Sequence, residues 1–324
     1  MPELRYKNIR LFYYIRAVAT NYLIPRRLYR ARLEKKLRSV TRFDLDYIKQ
    51  RVNHYNKLTG TQPLSGNAIS NGELSKLERP KDYYFDTQEY LRYFSQSLRI
   101  RYVWGDVVHV PEEPAIVKSR PIIPDNANAV ILKLNKARHF NFISDPNDFQ
   151  QKKDLLIGRG TVTQPHRVRF YELYFGHPLC NLGQINPQPN PQWLKPRTTI
   201  AEHLRYKFIL TLEGNDVATN LKWVMSSNSI AVMPAPKFET WFMESRLIPD
   251  HHYIHIKDDY SDLEEKLQYY IANTREALRI IHNAHEYISQ FRNREREDLI
   301  SLLCLEKYFY RTGQLVLRNA SLYD

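Results

Sequence analysis

The stretch KFILTLEGNDVATNLKWVMSSNSIAVMPAP, residues 207–236, sets the expected architecture. Lys207 to Leu212 is a short apolar run bounded by turn residues, the pattern of a buried strand. Glu213-Gly-Asn-Asp216 reads as a turn, Val217 to Ser226 as a helix, and Ser229 to Met233 as a second strand stopped by Pro234 and Pro236. Strands alternating with helices predict an α/β fold, a parallel sheet with both faces covered. In such a sheet, ligands sit beyond the carboxyl ends of the strands. Gly214 permits a tight turn there. A helix starting near Val217 would aim free N–H groups and a positive dipole end at an anion. Lys222 would lie about 1.5 turns inside that helix at 1.5 Å rise per residue. The competing reading is an ordinary turn and a surface lysine.

The pattern continues downstream. Phe238 to Ser245 reads as a short helix and His252 to Ile256 as a third strand. Ser261-Asp-Leu-Glu264 has the form of a capping box. The helix beginning at Asn273-Thr-Arg-Glu276 should bury Ala277, Ile280, Ile281, Ala284 and Ile288, which recur at three and four. A last helix is expected near Glu297 to Thr312, with Gly313 as its stop. Upstream, Ile157-Gly-Arg-Gly-Thr161 reads as a glycine loop and is followed by Gln164-Pro-His-Arg167. Backbone N–H groups and the guanidinium forks of Arg159 and Arg167 could there meet a diphosphate. The P-loop pattern is absent. Residues 176–200, rich in Pro, Asn and Gln, read as a long irregular loop, and 59–82 as another. Tyr102 to Trp104, Val107 to Val110 and Val130 to Leu134 read as strands.

Charge is unevenly placed along the 324 residues. Of the formal +13, residues 1–58 hold +11, from fifteen Lys or Arg against four Asp or Glu. Leu4, Ile9, Leu11, Phe12, Ile15, Leu23, Leu28, Leu33 and Leu37 recur there at roughly helical spacing, with Pro25 as a break. Tyrosines interleave with the arginines, which suits a helix lying on an anionic membrane surface. Packing against the body, or nucleic acid, are the other readings. No zinc-finger spacing or RNA-binding signature supports nucleic acid. No run is long and apolar enough for a membrane-spanning helix, and no small-residue cleavage site marks a signal peptide. Two cysteines, Cys180 and Cys304, cannot form a disulfide framework and point to a reducing compartment.

Other clusters read as local structure. Asp258-Asp-Tyr-Ser-Asp262 has the carboxylates of a metal–nucleotide site but directly precedes a helix start. His251, His252 and His255 alternate around a strand and cannot all point one way. No zinc-type spacing is present, so no metal site is expected. No Gly-x-Ser-x-Gly elbow or Cys/His nucleophile pattern is present.

The run from Leu212 to Ile256, continuing as KDDYSDLEEKLQYYIANTREA, resembles glycosyltransferase family 90, in particular its bacterial lipopolysaccharide branch. The resemblance also covers 102–140 and 157–170 and is thin over 1–80. It implies a two-domain B-type transferase (GT-B) with two Rossmann-like domains facing a cleft. The implied division is a basic helical segment 1–80, an acceptor-side domain 81–155, a nucleotide-sugar domain 156–312 and a tail 313–324. The family's Arg-Gly-Ser turn, with an arginine six residues on, is matched by Arg159, Gly160, Thr161 and Arg167, threonine replacing serine. Eukaryotic members' glycine, arginine and lysine fall on Gly214, Asn220 and Lys222, so Asn220 departs from the pattern. Asn215 and Asp216 complete that turn, and Glu239 fits a glutamate expected near the ribose hydroxyls.

The acceptor base in the family is an aspartate after a strand, and Asp106 in Tyr102-Val-Trp-Gly-Asp106 takes that place. Lys118 and Arg120 would contact an anionic acceptor or hold Asp106 in an ion pair. The resemblance thus implies inverting, metal-independent hexosyl transfer from UDP-glucose or UDP-galactose to a lipid-linked core oligosaccharide. The site would be the cytoplasmic face of the inner membrane, with no cofactor and no nucleic acid. The rivals are a basic nucleic-acid-binding protein and a metal-dependent transferase using Asp258 and Asp259.

Overall fold

The computed structural model describes residues 10–75, 81–317 and 323. The chain is α/β, with parallel sheets, and forms two compact units, each discontinuous in sequence.

One unit comprises the described residues of Ile9–Ala137, the segment Phe238–Met243 and the described residues of 291–324. It opens with α1 (Arg10–Val18), α2 (Arg26–Arg38), α3 (Leu45–Tyr55) and α4 (Lys81–Leu91). The basic N-terminal segment is therefore helical as its periodicity predicts, with Pro25 directly before α2. The part of that expectation on residues 1–9 lies outside the described residues. Asp44 caps α3 by accepting from Tyr47 N–H at 3.0 Å. On α1, Tyr13 reaches Asp86 of α4 at 2.8 Å, while Leu11, Phe12, Ile15 and Val18 stay exposed.

The strands of this unit are short. β1 (Ile69–Ser70) pairs antiparallel with β2 (Arg99–Ile100). β3 (Tyr102–Val103), β4 (Ala115–Val117) and β6 (Ala129–Ile131) form a parallel sheet in the order β3-β4-β6. β5 (Ser119–Pro121) continues almost directly from β4. Val107 to Val110, expected as a strand, has no regular structure. Its Val107 N–H bonds the Ser119 hydroxyl at 3.3 Å rather than a ladder carbonyl.

The other unit comprises Arg138–Lys237 and Glu244–Gln290, its first segment beginning within α5 (Lys136–His139). Its sheet contains β7 (Lys153–Gly160), β8 (Cys180–Gln184), β9 (Tyr206–Leu210) and β10 (Ile230–Met233). β11 (Phe238–Thr240) belongs instead to the first unit, where it pairs antiparallel with β5. β12 (Ile254–His255) completes a five-stranded parallel sheet in the order β12-β10-β9-β7-β8. Phe149, Leu156, Phe170, Phe208, Val232 and Leu263 belong to its core.

Around this sheet lie α6 (Pro165–Tyr174), α7 (Ile200–His203), α8 (Leu221–Met225), α9 (Leu263–Ala272) and α10 (Thr274–Ser289). α10 buries Ala277, Ile280, Ile281, Ala284 and Ile288, the stripe read from the sequence. α11 (Arg294–Arg311) closes the first unit.

Five expectations are corrected here. The glycine-flanked Arg159 lies within β7, not in a loop. Gly158 is needed because a Cβ there would come within 2.9 Å of Leu182 and Leu210 side chains. The loop expected at 176–200 contains β8, whose Asn181, Gly183 and Gln184 disguised an edge strand. The helix expected from Val217 begins only at Leu221, so it offers no anion-binding N-terminus at Val217. Phe238 to Ser245 is a strand and a 3-10 turn, joined at Met243 with φ 56°. The capping box at Ser261 does not form. Asp262 is the N-cap and its carboxylate accepts from Lys257 N–H at 2.9 Å.

Candidate functional site

The sheet order reverses between β7 and β9, since the chain runs outward to β8 on one side and to β10 and β12 on the other. Open α/β sheets bind ligands beyond the carboxyl strand ends near such a reversal. A cavity of about 110 Å³ lies there. Residues following β9 and β10 build most of it: Thr211, Leu212 and Glu213 from one, Met233 to Lys237 from the other. Val217, Ala218 and Leu221 extend the apolar wall, and His166, Glu244, Asp258 and Tyr260 add polar groups. Apolar walls with a few convergent polar groups are the ordinary form of a small-molecule site.

Arg167 holds the loops of this site. Its Nε donates to Glu213 O at 2.7 Å, Nη1 to Thr161 O at 2.8 Å and Nη2 to Leu212 O at 2.8 Å. The same guanidinium thus ties the end of β7 to the segment after β9. Its neighbour His166 donates from Nε2 to Glu213 O at 2.9 Å, while Tyr260 donates to His166 O at 3.0 Å. Burial lowers the His166 pKa, against its hydrogen bond to Glu213 O, and the positive charges of Arg167 and Lys237 add to the lowering. Burial likewise pushes the Tyr260 hydroxyl up to about 12. Glu213 accepts from Lys237 N–H at 3.0 Å, which ties the β9 and β10 loops. Gln164 donates to Asn215 at 3.0 Å, and Asn220 to Leu210 O at 3.0 Å.

Lys222 is fully buried and lies 2.5 Å from Glu244, whose side chain is equally inaccessible. Glu244 lines the cavity and Lys222 is not among its lining residues. A buried ion pair of this kind is costly to break from one side only. Asp216 is buried as well. Arg159 does not join Arg167. It donates to Gly158 O at 2.9 Å and to Asn181 O at 2.7 Å along the β7–β8 edge. Gly160 ends β7 and Thr161 follows it, exposed. Gly214 leaves ordinary van der Waals space against Arg167.

Asp106, Lys118, Arg120 and Glu239 belong to the first unit. Gly105 takes φ 116°, a conformation that side chains disfavour, and so turns the chain after β3. Asp106 then stands a third exposed, 2.6 Å from the Nζ of buried Lys118. Ser119 secures the turn by bonding both Val107 N–H and Val107 O. Arg120 points elsewhere. Its Nε donates to Glu239 at 2.8 Å across the β5–β11 pair, and its other nitrogens donate to the carbonyls of His54, Tyr55 and Ala129. The second Glu239 oxygen accepts from His54 Nε2 at 2.9 Å. Desolvation by burial lowers the Arg120 pKa, against the attraction of Glu239.

The structure therefore brings Thr161, Arg167, Gly214 and Asn215 to one edge of the sheet, and sets Asp106 beside Lys118. Glu239, which the sequence grouped with the nucleotide residues, is in the unit that contains Asp106. His166, Glu213, Glu244 and Tyr260 were not singled out. For Glu213 and Tyr260 the available signal was their position shortly after predicted strands, where α/β sites collect; His166 followed a predicted loop and Glu244 lay in a predicted helix, so neither carried that signal. Asp258 lies 3.4 Å from Lys237 at the surface, and Asp259 accepts from Ser261 N–H at 3.0 Å. Among the described residues, no group of three or more His, Cys, Asp or Glu is arranged to hold a metal ion. No described helix is long and apolar enough to cross a membrane.

A strand-end cavity with apolar walls and His166, Glu244, Asp258 and Tyr260 among its lining residues has the form that small-molecule sites take. Two comparisons carry this further. The family model for glycosyl transferase family 90 matches residues 169–298. An O-glucosyltransferase, LpsA, of Dichelobacter nodosus is 43% identical over 263 residues, covering 81% of this chain and 82% of that protein. The chain belongs to glycosyl transferase family 90 and is a glycosyltransferase.

Proposed function

We propose that the protein transfers a hexose, glucose before galactose, from a UDP-sugar to a sugar hydroxyl of a lipopolysaccharide or lipooligosaccharide core. The observation that carries this reading is the 43% identity with an O-glucosyltransferase over 81% of the chain. On this reading the two units are the halves of a B-type transferase. The sheet unit takes the nucleotide sugar, with base and ribose against the apolar wall formed by Leu212, Val217 and Met233. Thr161, Arg167 and the Gly214–Asp216 turn serve the diphosphate end.

Asp106 acts as general base. It accepts the proton of the acceptor hydroxyl as that oxygen bonds the anomeric carbon, and the bond from that carbon to the diphosphate breaks with inversion. The Lys118 ammonium at 2.6 Å fixes the carboxylate in place. A positioned base contributes about 10²–10⁴-fold. Protein cations and N–H groups meet the charge of departing UDP, so no metal is required. Residues 1–58, with net +11 and the exposed Leu11, Phe12, Ile15, Val18 and Leu23, meet an anionic inner-membrane surface from the cytoplasm.

The test is transfer of labelled glucose from UDP-glucose to purified truncated core glycolipid in excess chelator, with UDP binding followed by thermal shift. Ligands that bind only the folded state raise its melting temperature. Stabilisation by UDP with chelator-resistant transfer is expected. Transfer that stops in chelator and returns with a divalent ion favours Asp258 and Asp259. No stabilisation and no transfer would overturn the reading.

A further inference from the structure

A pair of further cavities lies entirely within the first unit, among α1, α2, α4 and α11. One, of about 200 Å³, is lined by Arg16, Tyr29, Lys36, Arg92, Tyr93 and Asp298, among others. The second, of about 300 Å³, is lined by Arg32, Lys35, Lys36, Arg42, Glu295 and Leu299, with Ser39. Lys36 borders both. Together they present seven cations against three carboxylates, Glu89, Asp298 and Glu295.

The cations divide by partner. Arg42 is paired with Glu295 at 2.5 Å. Arg16 and Arg294 reach Glu89 only at 3.5 and 3.9 Å. Arg32, Lys35 and Lys36 recur at three and four on α2, so they share one helix flank. Among the described residues, no carboxylate comes within ion-pair distance of these three. A row of unneutralised cations bordering a cavity is a standing attraction for an anion.

The inner cavity has a different character. Arg92 is 3% exposed and already positioned. Its Nε donates to Gln88 O at 2.8 Å, Nη1 to Thr20 O at 2.8 Å, and its guanidinium stacks 4.8 Å over the Tyr29 ring. Tyr29 meets Tyr93 edge to face at 5.1 Å, and Lys36 stands 5.9 Å over the Tyr93 ring. Burial and the negative charge of Glu89 raise the Asp298 pKa. Aromatic faces beside carboxylates and guanidinium forks suit a sugar ring: C–H faces on tyrosine, hydroxyls on the charged groups. A bare phosphate would use the cations and leave the tyrosines without a role.

We propose that this trough is a docking subsite for an acidic glycan, a sugar residue carrying phosphate, with the ring in the tyrosine-lined cavity and the phosphate on Arg32, Lys35 and Lys36. It serves to recognise the acceptor and rests on the reading of that acceptor as a core oligosaccharide. Nothing in it depends on which nucleotide sugar is used.

Calorimetry on the full chain tests it without donor or turnover. The probes are lipid-free phosphorylated core oligosaccharide, the same oligosaccharide after phosphatase treatment, and inorganic phosphate. Tighter binding of the phosphorylated glycan than of either control is expected. Arg32→Gln with Lys35→Gln, which border only the outer cavity, should weaken the phosphorylated glycan about tenfold, the low end for a charge-assisted hydrogen bond, and leave the dephosphorylated one unchanged. Tyr93→Leu should weaken both glycans and leave inorganic phosphate unaffected. The melting temperature of each variant checks folding, and retained UDP binding separates this result from failure of the donor reading. Equal affinity for the two glycans would overturn the proposal. So would a charge effect seen only with vesicles of phosphatidylglycerol and phosphatidylcholine, which would assign the row to lipid headgroups.

Discussion

The unit with the five-stranded sheet and the unit with the short strands use different means to fix their cores. In the sheet unit, β7, β9 and β10 lie inside the sheet, and ladder bonds and apolar faces make most of the core, with the buried pairs Lys222–Glu244 and Lys152–Asp145 beside them. In the short-stranded unit, sheets of two or three short strands leave much backbone outside any ladder. Side chains take over. Arg51 pairs with Glu297 at 3.0 Å, Trp241 donates to the same carboxylate at 2.6 Å, and Tyr55 stacks on Trp241 at 3.8 Å. Tyr55 also donates to Trp241 O at 2.8 Å. Distant segments are thus joined by a few buried polar contacts, each of which matters singly.

That contrast can be broken first at Arg120. Arg120→Met removes the guanidinium that pairs with buried Glu239. It should cost about 3–5 kcal/mol, the range for breaking a buried pair from one side, read as a lowered urea midpoint. A cost under about 1 kcal/mol, the scale of an exposed pair, would mean that the short-stranded unit does not depend on such contacts.

Asp106 tests function in the same unit. Asp106→Asn keeps size and the contact with Lys118 but cannot take a proton. Transfer should fall at least about 10²-fold, with UDP affinity unchanged in calorimetry. Wild-type turnover at saturating acceptor would move the base elsewhere.

In the sheet unit the weak point is steric. Gly158→Ala forces a methyl against Leu182 and Leu210 at 2.9 Å. It should destabilise by about 1–3 kcal/mol, as overpacking does. An unchanged thermal midpoint would show that β7 can shift relative to β8 and β9.

The smallest effect concerns pH. Burial holds the His252 pKa at about 4, below its ordinary 6.5, and its Nδ1 accepts from Ile248 N–H at 2.9 Å. The unfolded chain therefore takes up a proton that the folded one refuses as pH falls through 6.5. Its contribution is complete above that value and declines toward pH 4, by roughly 1–2 kcal/mol after allowance for solvent screening. His252→Asn should flatten stability over that window; an unaltered slope would assign the acid loss to other groups.

Legibility followed the same division. The β9–α8–β10 unit and the α10 stripe were readable because period and turn residues agree there. β8 was not, since an edge strand needs no apolar alternation and Gly183 is there to pass under Lys195. The IGRG segment misled because glycine reads as a turn, whereas Gly158 reflects close packing in the sheet interior. Asp106 beside Lys118 was a stated possibility. The Arg120–Glu239 pairing was not foreseeable, because it joins residues 119 positions apart across β5 and β11.

The dispersal of the first unit along the chain has a consequence for synthesis. Its α3 emerges early, but the carboxylate that Arg51 requires is Glu297, on α11. Nascent chain that stops short of α11 holds a guanidinium with no anion and the apolar residues Ile48, Val52 and Tyr55 without the helix that covers them. The sheet unit, complete at Gln290, has all its strands before then. On the ribosome the sheet unit can thus be complete while α3 still waits for α11, against the usual N-terminal-first order.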